Sequence, residues 1–274
     1  MILVAGATGN VGGELLRQLR AEGAPVRALT RDPARAGLPA DVEVAEGDFA
    51  TPESLAKAFS GVESLFLMMS GNETAVVEEA ARAGVRRIVL LSSVAVETRP
   101  DSLIGRVHGE AERAVEKSGL AWTFLRPGQF ASNTRGWAAQ IAQGDVVRTP
   151  FGQVGLPAVH PGDIAAVART ALTRDGHDGA VYALSGPAPV TPVEQVAAIG
   201  AAIGRELRHE ESTPEEAAAD MAAFMPAEIV AATLEFLGSP TATETRVLPT
   251  VEQVTGRPAR TFAEWARDNA DGFR

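Results

Sequence analysis

The chain begins Met1-Ile-Leu-Val-Ala-Gly6-Ala-Thr-Gly9-Asn-Val-Gly12. A short apolar run leads into three glycines spaced three residues apart, and apolar residues at helical spacing follow at positions 11, 15, 16 and 19. This order predicts a strand, a tight turn and a helix, the arrangement that binds the pyrophosphate of a dinucleotide at a helix N-terminus. The alternative is an ordinary strand-to-helix connection, because three glycines alone are a weak motif. The cofactor-binding residues predicted from this segment are Gly6, Thr8, Gly9, Asn10, Val11 and Gly12.

The residue after the second predicted strand indicates which dinucleotide binds. That strand covers residues 26–30, and Arg31 follows it. An acidic residue at this position binds a ribose 2′-hydroxyl, whereas an arginine suits a 2′-phosphate, so Arg31 favours NADP(H) over NAD. Asp32 leaves an alternative open, because its carboxylate could serve the hydroxyl or cap the turn before Pro33.

Composition excludes several classes of protein. A chain of 274 residues forms one domain with an elaborated lobe, or two merged lobes. The absence of cysteine excludes disulfides and thiolate catalysis. A net charge of −10 argues against a nucleic-acid surface. No segment is long and apolar enough to span a membrane, and no leader is evident, so a cytoplasmic location is predicted. The partners predicted are a small-molecule substrate and, as an open possibility, a second copy in a homodimer.

The first 130 residues alternate short apolar runs with helical patterns. Strands are predicted at 2–5, 26–30, 42–46, 64–68, 87–91 and 121–125, and helices near 11–22, 52–59, 72–83 and 106–118. This alternation predicts an α/β fold with a doubly wound parallel (Rossmann) sheet, whose ligands bind outside the carboxyl ends of the strands.

The pattern changes after Pro127. A helix is predicted near 131–143, a Gly- and Pro-rich stretch at 144–157, a helix after Pro161 and a strand at 181–184. From Pro187 onward the chain is predicted to be mostly helical. We therefore assign residues 1–129 and 158–186 to a dinucleotide-binding core, and residues 130–157 and 187–274 to a smaller, mostly helical substrate-binding lobe.

Several of these segments resemble a known family. The chain resembles the atypical short-chain dehydrogenase/reductases, and most closely the NmrA-like group, at five places. These are the glycine motif at 6–12, Arg31, Gly47-Asp48, Ser92-Ser93 and the segment ending in Arg126-Pro127-Gly128. The resemblance covers residues 1–208 and weakens beyond them. That group contains NADPH-dependent quinone oxidoreductases, triphenylmethane-dye reductases and a non-enzymatic redox-sensing transcriptional regulator.

The resemblance implies further cofactor contacts. Asp48 and Phe49 would flank the adenine, although Phe49 could be a core residue and Asp48 could cap the helix that begins near Pro52. Met69 and Ser70 would line the cofactor groove together with Met68. Two serines end the fifth predicted strand. Ser92 is assigned to the cofactor, and Ser93 to nicotinamide or substrate, with a turn serine as the alternative.

The chain departs from the superfamily at its catalytic pair. Typical members carry Tyr-x-x-x-Lys on the helix before the Arg-Pro-Gly strand, and here those positions hold Ile104 and His108. The only tyrosine is Tyr182, far downstream. The quinone and dye reductases resembled here also lack the tyrosine and carry a histidine at the second position. His108 is therefore the catalytic candidate, either bonding the nicotinamide ribose or donating a proton. The alternative is a polar helix residue that faces solvent or bonds a carbonyl.

The substrate wall is predicted from residues that follow the Arg-Pro-Gly segment. They are Gln129, Phe130, Asn133 and Trp137, with Phe151, Phe224 and Met225 as further candidates. The four histidines are too scattered for a metal site, so none is predicted. Asp163 is interpreted as a structural acid at a helix start, and the acidic run 210–216 as a solvated loop with Thr213 as a helix cap.

Three functions remain open on this evidence. The first is an NADPH-dependent oxidoreductase that transfers hydride to a small, planar, electron-poor substrate such as a quinone, which accepts hydride without a strong acid catalyst. The second is a non-catalytic NAD(P)-binding redox sensor that acts through a protein partner. The third is a biosynthetic reductase or isomerase whose missing acid comes from the substrate lobe.

Overall fold

The computed structural model describes all 274 residues and contains nine strands. They are β1 (Ile2–Val4), β2 (Val26–Thr30), β3 (Glu43–Glu46), β4 (Ser64–Met68), β5 (Arg87–Leu91), β6 (Ala121–Pro127), β7 (Val146–Thr149), β8 (Ala180–Leu184) and β9 (Arg208–Glu211). Seven of them form one sheet in the order β3-β2-β1-β4-β5-β6-β8, with every neighbouring pair parallel. The predicted doubly wound sheet is confirmed, and all seven predicted strands lie within two residues of their expected bounds.

Twelve α-helices connect and flank the strands. They are α1 (Asn10–Ala21), α2 (Ala56–Phe59), α3 (Glu73–Arg82), α4 (Ala95–Thr98), α5 (Leu103–Lys117), α6 (Ala138–Gln143), α7 (Pro161–Thr173), α8 (Pro192–Ile203), α9 (Pro214–Ala222), α10 (Ala227–Gly238), α11 (Thr250–Thr255) and α12 (Phe262–Asp268). Short 3-10 turns occur at Pro52–Leu55, Ala131–Trp137 and Ala270–Phe273. None of the helices has the length and apolar composition needed to cross a bilayer.

Two apolar cores cover the two faces of the main sheet. On one face, α1 and α7 pack against the strands through residues such as Leu15, Leu19 and Ile164, all inaccessible to solvent. On the other face, α3 and α5 contribute Val77 and Val115. Burial on both faces explains why these strands read as continuous apolar runs. It also leaves only the strand ends free to carry polar, ligand-binding groups.

A third core lies between the residues after β6 and the C-terminal helices. It joins Ile141 of α6 and Val196 of α8 to Phe262 and Trp265 of α12. Helix α12 begins with a capping box in which the Thr261 side chain accepts from the Glu264 N–H, and the Glu264 carboxylate accepts in return. This packing holds the C-terminal helices against the 3-10 turn that follows β6.

The sequence did not predict strands β7 and β9, which pair in parallel as a separate two-stranded sheet. Only Val147 of β7 is fully buried, and cross-strand contacts are polar, including Thr149 Oγ1 to His209 Nε2 at 3.0 Å and an Arg148–Glu210 ion pair. A small exposed sheet of this kind produces no apolar run to detect. The Thr213 cap is confirmed, since its hydroxyl accepts from the Glu216 N–H at the start of α9.

Candidate active site

The glycine turn between β1 and α1 lies at the carboxyl edge of the sheet, beside the point where the strand order reverses between β1 and β4. Gly6 has a φ of 61°, a conformation that favours glycine. A Cβ on Gly12 would overlap the backbone of Gly6 and approach the Ala5 carbonyl oxygen to 2.9 Å. Glycine at this position therefore lets α1 begin directly against the turn.

The residues of this turn differ in what they offer a ligand. Thr8, Gly9 and Asn10 are exposed, whereas the Val11 side chain is buried in the core. Val11 can therefore contact a cofactor only through its backbone N–H. The first N–H groups of a helix have no partners within it, so this exposed turn presents free donors at a positive dipole end. These features fit the phosphates of a dinucleotide.

Arg31 and Asp32 adopt different roles after β2. Asp32 Oδ1 accepts from the N–H groups of Ala34 and Arg35 at 3.1 and 3.2 Å, so its carboxylate caps the turn. Arg31 is exposed and makes no ion pair or side-chain hydrogen bond within the chain. A guanidinium without a partner in the protein suits a phosphate better than a hydroxyl.

The loops after β3 and β4 carry the residues that were predicted to flank the adenine. Asp48 Oδ1 accepts from the Ala50 N–H at 2.9 Å, and Phe49 packs partly against the core. The two loops are joined where Asn72 Nδ2 donates to the Phe49 carbonyl at 3.1 Å. The core alternative for Phe49 is therefore present, whereas Asp48 bonds within the loop and does not cap the 3-10 turn at Pro52–Leu55, which Thr51 precedes. The adenine contacts stay a prediction.

The loop that carries Met69 and Ser70 is held by a residue that the sequence analysis missed. Glu73 is buried, and its Oε1 accepts from the Ser70 hydroxyl at 2.9 Å and the Gly71 N–H at 2.8 Å. The Ser-x-x-Glu spacing was the available signal for this contact. Met69 is half-buried against the core, and exposed Met68 lies over Gly6.

Ser92 belongs to a buried network and not to the open groove. Its hydroxyl donates to Glu112 Oε1 at 2.6 Å, and Arg126 donates to the two Glu112 oxygens from Nε at 2.9 Å and Nη2 at 2.6 Å. The bond to Glu112 raises the pKa of Arg126. The hydroxyl hydrogen and the backbone N–H of Ser92 are therefore both used within the protein, and its cofactor contact stays a prediction. Ser93 Oγ accepts from the Ala95 N–H at 3.2 Å, which matches the turn-serine alternative.

His108 projects from α5 with one ring nitrogen fixed. The Ser102 hydroxyl caps this helix by accepting from the Gly105 N–H. Burial lowers the pKa of His108, an effect that the Ile104 carbonyl and the carboxylates of Glu112 and Glu73 oppose only in part. The neutral ring donates from Nδ1 to the Ile104 carbonyl at 2.8 Å. Its Nε2 has no partner within the chain and is left as an acceptor.

A cavity of about 420 Å³ opens between the 3-10 turn after β6 and the α9–α10 pair, and His108 is not among its lining residues. Gln129, Asn133 and Trp137 line it, as predicted, together with Phe151, Phe224 and Met225. Phe130 does not, because it forms a bridge with Val159 and packs against the core below the sheet edge. The substrate roles of these side chains stay predictions.

Ten of the 23 residues that line the cavity are hydrophobic, and Arg148 and Asp220 are its charged lining residues. Arg148 is its only lining cation, and it pairs with Glu210 at 3.1 Å and Glu216 at 3.5 Å. Asp220 also lines the cavity. The site therefore offers a flat apolar ligand good contact but provides no uncompensated positive charge.

Residues 6–188 of the chain match a family model described as NAD(P)H-binding. The chain belongs to this family. It is 42% identical, over all of this chain and 99% of the relative, to a (4-alkanoyl-5-oxo-2,5-dihydrofuran-3-yl)methyl phosphate reductase of Streptomyces griseus. It is 38% identical, with the same coverage, to an NAD(P)H azoreductase of Xenophilus azovorans.

Solved structures place the chain in the NmrA-like branch. An NADPH-dependent quinone oxidoreductase of Escherichia coli superposes with a TM-score of 0.81 at 25% identity, and the match covers 98% of this chain and 99% of that one. A triphenylmethane reductase of Citrobacter in complex with NADP(H) superposes equally well at 26% identity, with the same coverage. The predicted family and the prediction of an NAD(P)H-dependent oxidoreductase are confirmed. The sensor alternative gains no support from these relatives.

Proposed function

We propose that the chain uses NADPH to reduce a small, planar, electron-poor acceptor bound in the 420 Å³ cavity. NADPH supplies the hydride when it is bound. The protein supplies the glycine turn for the phosphates, Arg31 for the 2′-phosphate and a flat apolar wall for the acceptor. Quinones, azo compounds and conjugated lactones are all planar and electron-poor. The substrates for which the relatives are named therefore fall in one chemical class.

The observation that carries this proposal is that no tyrosine, lysine or histidine lines the cavity to donate a proton. Ile104 replaces the usual tyrosine, and Tyr182 lies on β8 with its hydroxyl 2.7 Å from His177 Nδ1. His108 is neutral near pH 7 and offers an acceptor nitrogen, which suits a hydrogen bond from a ribose hydroxyl better than proton donation. An acceptor whose reduced form is a stabilised anion takes its proton from solvent afterwards.

The charged residues at the cavity indicate which acceptors it favours. Arg148 is the only cation in the lining and is paired with two exposed glutamates, so a phosphate ester would have to compete with them for its charge. We therefore expect neutral acceptors to be reduced faster than phosphorylated ones. This distinguishes the chain from the Streptomyces griseus relative, whose name specifies a phosphate.

The test is a panel of acceptors with NADPH, followed by the absorbance of the reduced nicotinamide. The panel contains a neutral quinone, an azo dye, a neutral alkanoyl-furanone and its phosphate ester. We expect turnover with the neutral members and the smallest kcat/KM with the ester. Tight NADPH binding without turnover of any acceptor would reject the proposed enzymatic activity and would favour the function of a redox sensor.

A further inference from the structure

Phe151 is the only residue other than glycine whose backbone has a positive φ, at 60°. This is the left-handed region, which a residue with a Cβ rarely adopts. Phe151 follows β7, is half-buried and lines the 420 Å³ cavity. A non-glycine residue keeps such a conformation only where the surrounding contacts impose it, and residues of this kind cluster at ligand sites.

The backbone on the C-terminal side of Phe151 is held by contacts from three segments. The Gly152 N–H donates to the two carboxylate oxygens of Glu211 on β9, at 3.2 and 3.0 Å. The Gly152 carbonyl accepts from the Val193 N–H of α8 at 3.3 Å, and the Phe151 carbonyl accepts from the Val154 N–H at 2.9 Å. The small β7–β9 sheet therefore helps to fix the position from which the Phe151 side chain projects.

The Phe151 ring reaches from this loop to α10. A Cβ built on Gly238, the last residue of α10, would lie 2.5–2.9 Å from three atoms at the far end of the ring. Gly238 does not have a positive φ, so its backbone conformation does not require glycine. The space that the ring occupies does require it. Leu237, the preceding residue of α10, lines the cavity, so the ring joins the loop after β7 to α10 at the boundary of the cavity.

We propose that Phe151 determines specificity by limiting the length of the acceptor, because its ring forms an end wall of the cavity. Gly238 leaves room for the ring to lie against α10, and a side chain there would push the ring toward the acceptor. This role rests on the reduction proposed above and narrows its substrate class. Compact acceptors are favoured over the same acceptors extended by an aryl group.

Two substitutions remove the ring and suit the backbone. Glycine adopts a φ of 60° readily, so the first is Phe151→Gly, and the second is Phe151→Asn, since asparagine tolerates this region better than most residues. Gly238→Ala tests the other side of the contact, alone and combined with Phe151→Gly. The matched control is Phe236→Ala, which removes a ring from α10 at a residue that does not line the cavity.

Each protein is assayed with NADPH and two acceptors, 1,4-benzoquinone and 2-phenyl-1,4-benzoquinone, which share the quinone ring and differ in length. The quantity compared is kcat/KM for the phenyl-substituted quinone divided by kcat/KM for the unsubstituted one. Because every protein receives the same pair, differences in the intrinsic reactivity of the two quinones cancel between proteins. Calorimetric titration with NADPH checks that the cofactor site is intact.

Both Phe151 variants should raise this ratio about tenfold or more, since even one methylene in an apolar pocket changes kcat/KM by about 10–200-fold. Gly238→Ala should lower it about fivefold or more, the lower end for overpacking a site. The double variant should stay within about twofold of Phe151→Gly, because the alanine then has no ring to displace. Phe236→Ala should leave the ratio unchanged, and all variants should bind NADPH like the parent protein.

Two results would overturn the role of Phe151 while the parent protein still reduces quinones. One is an unchanged ratio in both Phe151 variants. The other is an equal effect of Gly238→Ala with and without the ring, which would show that the two residues do not act through their contact. A parent protein that binds NADPH but reduces neither quinone would instead refute the proposed function on which this role rests.

Discussion

Replacing Glu112 with glutamine should destabilise the fold strongly, although the two side chains have almost the same shape. Glu112 is 7% exposed and accepts three hydrogen bonds, two from Arg126 and one from Ser92. The amide would leave the Arg126 side chain, which is only 18% exposed, with Glu97 at 4.0 Å as its remaining carboxylate. Breaking a buried pair by removing one partner costs about 3–5 kcal/mol.

This cost can be measured as a melting temperature. At about 2–4 °C per kcal/mol for a domain near this size, Glu112→Gln should melt roughly 6–20 °C below the parent protein. Urea unfolding should give the same loss as a free energy. The matched control is Glu97→Gln, whose side chain is 57% exposed and should change stability by less than about 1 kcal/mol. A loss below about 1 kcal/mol for Glu112→Gln would refute the role of this network in joining β5, α5 and β6.

Further predictions concern the cofactor, pH and the glycine turn. Arg31→Asp should weaken NADPH binding about tenfold or more and NADH binding much less, and equal titration curves for NADPH would contradict the 2′-phosphate contact. Because burial holds the pKa of His108 below 6.5, the unfolded chain binds more protons than the folded chain just below pH 6.5, so stability present above about pH 6.5 should fall as the pH drops below that value. Urea unfolding of His108→Gln should show a weaker fall, and identical slopes would reject this assignment. Gly12→Ala should cost about 1–3 kcal/mol and weaken NADPH binding, whereas Gly144→Ala, where a Cβ meets nothing within 4 Å, should do neither.

The sheet could be predicted from the sequence because its strands are buried on both faces. Apolar runs such as 64–68 and 87–91 then mark strands directly, and glycines mark the turn where α1 packs closest. Strand β9, Arg208–Glu211, has no buried residue and could not be found in this way. Its pairing depends on β7, which is distant in sequence.

The site was less predictable because contacts between distant segments decide it. Arg31 could be assigned from its position after a strand, but the role of Asp32 depended on which N–H groups its carboxylate meets. Phe130 has the right chemistry for a substrate wall, yet its bridge to Val159 turns it into the core. The role of His160 as the cap of α7 depends on a bond from the Gly162 N–H that is visible only in three dimensions.

The central claim is hydride transfer to a conjugated acceptor without a protein acid. Its most direct test is a comparison of kcat for a neutral quinone and an isolated ketone of similar size, with NADPH deuterated at the transferred position. We expect a primary isotope effect and one oxidised cofactor per reduced quinone, with no detectable reduction of the ketone. Reduction of the ketone at a rate comparable to the quinone would contradict the account, because it would require an acid that the site lacks.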